Sequence, residues 1–215
     1  MARNPASAPA ARPAFRPGRP LVVGITGGVA AGKSTVAELF CAHGLVHVDA
    51  DAHARAVAAD PEVLAAVRAR FGAGVVGPDG LDRAALARVV FADPTRRAEL
   101  EAILHPRIRA RVLADLAACR ARGDSVLLDA PLMHETGLVD SCDLTVFVEA
   151  NAATRAARAA ARGWPPGELE RREAAQVALA VKRTHASHII RNDGDLAETA
   201  RQVRAVVEGL ATAEG

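Results

Sequence analysis

Leu21-Val-Val-Gly-Ile-Thr-Gly-Gly-Val-Ala-Ala-Gly-Lys-Ser34 decides how the rest of this chain is read. Its first six residues are a short apolar run bounded by glycine, the pattern of a strand buried on both faces in a parallel sheet. Gly27 to Ser34 then spells G-x-x-x-x-G-K-S, and a helix is predicted from about Gly32 to His43, with Val36, Leu39 and Phe40 at helical spacing. A strand, a glycine-rich turn and a helix in that order form a nest. Successive backbone N–H groups converge on one anion, and the helix turns its positive end to the same point. The lysine adds charge for terminal phosphates, and the serine hydroxyl is an oxygen ligand suited to Mg²⁺.

Outward from this stretch, Leu45-Val-His-Val-Asp49 reads as a second strand ending in acid, which completes a βαβ unit. A long helical stretch follows from Ala52 to about Arg122, and Pro61, the glycine-rich 72–80 loop, Pro94 and Pro106 are expected to divide it into several helices. Val126–Asp129 and Leu144–Val148 read as two more buried strands. Helices rich in alanine and arginine flank the turn Gly163-Trp-Pro-Pro-Gly167. Ser187–Arg191 is the last strand and Leu196–Leu210 the closing helix. The fold class is therefore α/β, a three-layer fold with a five-stranded parallel sheet. A helical insertion at about 52–122 interrupts the alternation of strands and helices.

Composition narrows the class further. The chain has 215 residues and a formal charge of +2, and no basic tract points to nucleic acid. No apolar run approaches the ~20 residues of a membrane helix. Three widely spaced cysteines, Cys41, Cys119 and Cys142, argue for a reducing compartment, and the cytoplasm is the expected location. Residues 1–20 hold five prolines and four arginines with no acid, and are read as a disordered tail. The same composition resembles an organelle transit peptide, but the proline density spoils an amphipathic helix. Residues 21–215 make one domain, and nothing in them specifies an oligomeric state. Alanine accounts for 50 residues, and arginine for 25 of the 27 basic ones. Lys33 and Lys182 are the only lysines, so a lysine inside a phosphate-binding pattern is not casual.

Several uses of the loop are excluded. Neither lysine follows an asparagine, which closes the N-K-x-D guanine-reading motif, and no L-S-G-G-Q transporter signature is present. A small-molecule kinase using ATP and Mg²⁺ is what remains. The loop assigns Gly27, Gly28, Ala30, Ala31, Gly32, Lys33, Ser34 and Thr35 to the nucleotide, with Ser34 also on the metal. Asp49-Ala-Asp51 stands at the carboxyl end of the second strand, the edge where open α/β sheets bind ligands. One carboxylate there suits a base toward an attacking hydroxyl, and either suits a helix cap. The expectation is Asp49 as cap or metal-shell residue and Asp51 as base.

Beyond these motifs the chain resembles the dephospho-coenzyme A kinase family over about Leu21 to Leu210. The resemblance is carried by Thr26 to Ser34, by Asp49-Ala-Asp51, and by Asp79-Gly-Leu-Asp-Arg83 with Leu86. Val90 and Phe91 follow, then Leu100, Glu101, Ile103, His105, Pro106 and Ile108, then Pro131-Leu-Met-His-Glu135. Arg158 and Arg162, Gln176, Lys182-Arg183 and Asn192 with Gly194 complete the series. The resemblance implies a P-loop kinase fold of the nucleoside-monophosphate-kinase type, in which the helical insertion at about 52–122 is acceptor-binding and about 155–185 is a lid, with ATP and dephospho-coenzyme A as substrates. It implies Asp51 as base, with Lys33, Arg158 and Arg162 acting on the phosphates and Asn192 on the nucleotide side. Arg83, His105 and Arg109, with Asp51, would line the coenzyme A side.

Two departures stand out. Ala186-Ser187 replaces the family's A-D, which loses a carboxylate, and Met133 replaces a leucine at similar volume. Asp129 sits at a strand end, but the resemblance does not support it as a direct Mg²⁺ ligand. His105-Pro106 reads alternatively as a helix break and cap, and Trp164 as lid packing. A different acceptor (a nucleoside monophosphate, gluconate or shikimate) and a non-catalytic ATP-binding module remain as alternatives.

Overall fold

The computed structural model describes residues 19–77, 80–174 and 176–212. The tail read over residues 1–20 lies outside the described residues up to residue 18, as do the side chains of Arg83, Phe91 and Ala92. In chain order, β1 (Val22–Gly27) leads through the loop into α1 (Lys33–Ala42), β2 (Val46–Asp49), α2 (Ala50–Ala58) and α3 (Pro61–Phe71). A hairpin of β3 (Val76–Gly77) and β4 (Gly80–Leu81) precedes α4 (Arg83–Ala92) and α5 (Pro94–Arg122). Then come β5 (Val126–Asp129), β6 (Leu144–Glu149), α6 (Ala152–Ala161), α7 (Glu168–Ala174), α8 (Leu179–Thr184), β7 (His188–Arg191) and α9 (Leu196–Thr212).

The five long strands form one sheet in the order β2-β5-β1-β6-β7, and each neighbouring pair is parallel. This is the α/β architecture expected from the sequence. Alternation along the strands divides the core in two. Val23, Ile25, Leu127 and Val146 pack with Val36 and Phe40 of α1 and Val203 and Val207 of α9. Val22, Val126 and Leu128 pack on the opposite face with Val112, Leu116 and Cys119 of α5. Both faces are covered, so the strands read as unbroken apolar runs. The open edge of β7 is masked by Gln202 of α9, which accepts from the Arg191 N–H and donates to the Arg191 carbonyl, each at 2.9 Å.

Residues 50–122 hold a third cluster of their own, with Val57, Val63, Val67, Val75, Ala85 and Leu86 at its centre. Aspartates start the helices around it. Asp60 and Asp93 each cap a helix whose first residue is proline, and the Asp82 carboxylate accepts from Ala84 and Ala85 N–H. The short hairpin inside the glycine-rich 72–80 loop was not foreseen from the sequence. The expected break at Pro106 is also absent, because α5 continues through it for 29 residues, about 43 Å. Proline removes one backbone donor, but the helix is pinned on both sides of it. Leu100, Ile103 and Leu104 pack into the third cluster and Val112 into the sheet, while Ile108 touches both. The Arg107 guanidinium also donates to the Ile103 carbonyl at 2.8 Å, serving a backbone acceptor next to the disturbed turn.

Ser187, the departure noted above, has a structural use. Its hydroxyl accepts from the Thr145 N–H at 3.1 Å, and its own N–H donates to the Thr145 carbonyl at 2.8 Å. An oxygen acceptor is all this position asks for, so the lost carboxylate leaves no buried donor unmet.

Candidate active site

The loop between β1 and α1 takes the strained shape its sequence allows. Ala30 has φ 61°, a left-handed conformation for a residue with a side chain, and Gly32 caps α1 at φ 89°. No side chain caps the α1 N-terminus, so its first N–H groups are left for an anion. The strain is held from behind. Asn192 Nδ2 and Arg158 Nη1 both donate to the Ala31 carbonyl at 2.8 Å, and Arg158 Nη2 donates to the Asn192 carbonyl at 2.8 Å. Buried Thr199 donates to Asn192 Oδ1 at 3.1 Å. A Cβ on Gly32 would stand 2.2 Å from Asn192 Nδ2, so glycine is required there for space as well as for φ.

Three aspartates, Asp49, Asp51 and Asp129, stand near the carboxyl ends of β2 and β5, close enough for their charges to interact. The parallel register sets Asp49 beside Asp129 and Asp129 beside Ile25 of β1. Lys33 Nζ forms an ion pair with Asp129 Oδ1, and His47 Nε2 lies 3.7 Å from Asp129 Oδ2. Asp49 caps α2, its Oδ1 accepting from the Asp51 N–H at 2.8 Å while Oδ2 takes Arg55 at 3.2 Å. Asp51 thereby stands in the first turn of α2 with its carboxylate uncommitted to the cap. Its carboxyl is held above the ordinary range, chiefly by partial loss of solvation. Lys33 opposes this, whereas Asp49 and Asp129 add to it.

A cleft of about 220 Å³ lies over the loop, lined by residues Gly27 to Ser34 together with Pro131, Arg162 and Gln176. Arg162 is exposed at the end of α6, with its guanidinium 5.6 Å from the Trp164 ring centre, and Arg172 covers the same ring at 4.4 Å. Arg158 is one turn back on α6, but its donors are spent on loop and strand-end carbonyls and do not point into the cleft. The Arg155 guanidinium pairs with Glu173 and so ties α6 to α7.

The other predicted residues are more dispersed. His105 and Arg109 are one turn apart on α5, both half-buried. Arg109 Nη1 donates to the Thr136 carbonyl at 3.3 Å and also to that of Gly137, joining α5 to the loop after β5. Arg83 opens α4, and its side chain lies outside the described residues. Sequence reasoning gave no role to Asp129, Glu135 or Lys182, which the structure brings to this edge. The available signals were an acid at a strand end and the second of two lysines.

A polyphosphate-shaped loop facing a carboxylate whose charge is disfavoured is the equipment of phosphoryl transfer. On a parallel sheet it places the chain among the P-loop kinases. Comparison with known proteins narrows this. The model of the dephospho-CoA kinase family matches residues 21–198, and the chain belongs to that family. A dephospho-CoA kinase of Symbiobacterium thermophilum is 43% identical over 199 residues, covering 90% of this chain and 83% of the relative. That of Deinococcus radiodurans is 42% identical over 212 residues, covering 98% and 99%. Among solved structures, a Thermus thermophilus protein superposes with a TM-score of 0.77 at 35% identity, covering 89% of this chain and 98% of that one. A dephospho-CoA kinase from Campylobacter jejuni shares the fold, with a TM-score of 0.66 at 20% identity and coverage of 88% and 96%.

Proposed function

We propose that the chain phosphorylates the 3′-hydroxyl of dephospho-coenzyme A with ATP, giving coenzyme A and ADP, the last step of coenzyme A biosynthesis. The observation that carries the chemistry is the place of Asp51, in the first turn of α2 at the end of β2, with its carboxylate in the field of Lys33. The acceptor follows from membership of the family. Loop N–H groups and Lys33 bind the β- and γ-phosphates. Asp51 takes the hydroxyl proton as the acceptor oxygen bonds to the γ-phosphorus. The bond from that phosphorus to the bridging oxygen breaks, and its electron pair leaves on ADP. Lys33, held by Asp129 before the nucleotide arrives, exchanges a carboxylate for phosphate without leaving its place. Arg162 at the cleft rim supplies charge from the lid of about 155–185, and Arg158 acts on the nucleotide through the loop it holds.

Mg²⁺ fits the donors present. Among the described residues no three His, Cys, Asp or Glu side chains cluster to cage a metal. This suits an ion that keeps most of its ligands as phosphate and water. Ser34 would hold it, and when bound it neutralises phosphate charge. On the acceptor side we assign Arg83, His105 and Arg109 of the helical insertion, about 52–122, to dephospho-coenzyme A. Among the described residues no helix is long and apolar enough to cross a membrane, and the cytoplasm is the proposed location.

Mass spectrometry after incubation with Mg²⁺ and ATP tests this directly, with dephospho-coenzyme A, AMP, gluconate and shikimate as parallel acceptors. Coenzyme A is expected to be the only phosphorylated acceptor. Phosphorylation of another acceptor would keep the kinase and overturn its substrate, and ATP binding without any product would overturn the reaction.

A further inference from the structure

Lys182 is fully buried, in a chain that uses arginine for almost every other basic residue. Its Nζ donates to the Pro131 carbonyl at 3.1 Å and to Gln176 Oε1 at 2.8 Å, and lies 3.9 Å from Glu135 Oε1. The same Glu135 oxygen accepts from the Val177 N–H at 2.7 Å. One ammonium thus gathers α8, the segment after α7 and the loop after β5. Burial pushes it toward the neutral form, Glu135 resists that, and Lys33 adds to it. Burying an ammonium is costly unless it is well paired, and three oxygens stand around this one.

What it does follows from donor chemistry. An ammonium has three donors and no acceptor. Gln176 must therefore turn its oxygen to Lys182, which leaves Nε2 with two hydrogens at the other corner of the amide. Gln176 and Pro131, both held by Lys182, line the cleft over the phosphate loop with Lys33, Ser34 and Arg162. Among the described residues no hydrogen bond engages Nε2.

We propose that Gln176 is a further catalytic residue whose Nε2 donates to the phosphoryl group in transit, and that Lys182 is the positioning residue that fixes the amide in that orientation. This rests on the phosphoryl-transfer reading above. Gln176 exchanges no proton. Asp51 still takes the hydroxyl proton, and ADP still leaves with the bridging oxygen and its electron pair. Charge on the migrating group spreads over its three equatorial oxygens, and a donor fixed beforehand meets it without reorganisation. Arginine in place of Lys182 would add a fork of donors in a space shaped for one atom, which accounts for lysine at this position.

Steady-state kinetics with Mg²⁺, ATP and dephospho-coenzyme A tests the assignment. Gln176→Leu is expected to lower kcat about a hundredfold while the KM for ATP changes less than about threefold. Lys182→Met is expected to lower kcat in the same way. Placed on Gln176→Leu, it should cost less than about threefold more, because it acts through the missing amide. Wild-type kcat in Gln176→Leu would overturn the proposal, as would losses that simply multiply in the double variant. Should Lys182→Met fail to fold, Gln176→Glu decides. It keeps an oxygen on Lys182 but turns a second oxygen to the phosphates, so kcat must fall below that of Gln176→Leu, and a smaller loss overturns the proposal. A wild-type chain that makes no coenzyme A overturns the function itself before any variant is read, which separates the two failures.

Discussion

The phosphate loop at 27–34 and the helical segment at 50–122 reach their shapes by opposite routes. The loop buries only the small side chains of Ala30 and Ala31 of its own. Its strained backbone is imposed by a helix start beneath it and by Asn192 and Arg158 holding the Ala31 carbonyl behind it. The helical segment has a separate apolar cluster, helices capped by their own aspartates, and one long helix tying it to the sheet. A site that must present bare N–H groups to an anion has to borrow its rigidity from distant residues. A segment that only has to hold a shape supplies its own.

Changes on the loop side should therefore show in turnover first. Lys33→Ala is expected to lower kcat by about a thousandfold or more, since it removes a charge that meets the migrating phosphoryl group. Stopped-flow turnover near the wild-type value would refute the assignment of the loop. Asp51→Asn should reduce kcat about a hundredfold or more with little change in ATP binding measured by calorimetry. Equal losses in both would make Asp51 structural. In the wild type, kcat should fall as pH drops through the raised pKa of Asp51, at a pH above the ordinary carboxylate value of about 4.

Two aspartates at helix starts, Asp51 in the first turn of α2 and Asp93 capping α5, should also respond to pH with opposite sign in their contributions to stability. The folded state raises the pKa of Asp51, so its ionised form is disfavoured by folding, and stability is lost as pH rises through that pKa. Asp51→Asn should accordingly raise the melting temperature at neutral pH, with the gain vanishing in acid. Asp93, the cap of α5, has its carboxyl held below the usual range, first by the Thr95 N–H. Its contribution is present at neutral pH and disappears as pH falls through the folded pKa. Asp93→Ala should lower the melting temperature at neutral pH, leave kcat unchanged, and match the wild type in acid. Melting curves at three pH values check both signs, and parallel behaviour of the two variants would remove the contrast.

The smallest expected effect is Pro106→Ala. It restores a backbone donor inside α5 and should stabilise the fold by about 1 kcal/mol, well under the full interior penalty, because packing already holds the helix straight through this turn. Chemical denaturation measures it.

Where a local shape depended on neighbours in the chain, it was legible beforehand. The G-x-x-x-x-G-K-S stretch, the acid at the end of β2 and the apolar strand runs are local patterns with local causes. Pro106 misled because its effect depends on what packs around the helix. Arg158 is the sharper case. Its spacing from Arg162 places both near one helix face, yet one guanidinium is turned onto the loop and the other lines the cleft. Asp129 carried no local signal strong enough to separate a structural acid from one facing Lys33.

The sequence alone determined a parallel α/β sheet, a phosphate loop at its centre and a carboxylate beside it, since hydrophobic period and backbone freedom act over a few residues. Only the tertiary structure decided which side chains serve that loop. Lys33 meets Asp129 and Ala31 meets Asn192 because the sheet sets β5 and β6 on either side of β1 and β7 beyond β6. Hydrogen bonds across 96 and 161 residues of chain follow from strand order, and no local period encodes strand order.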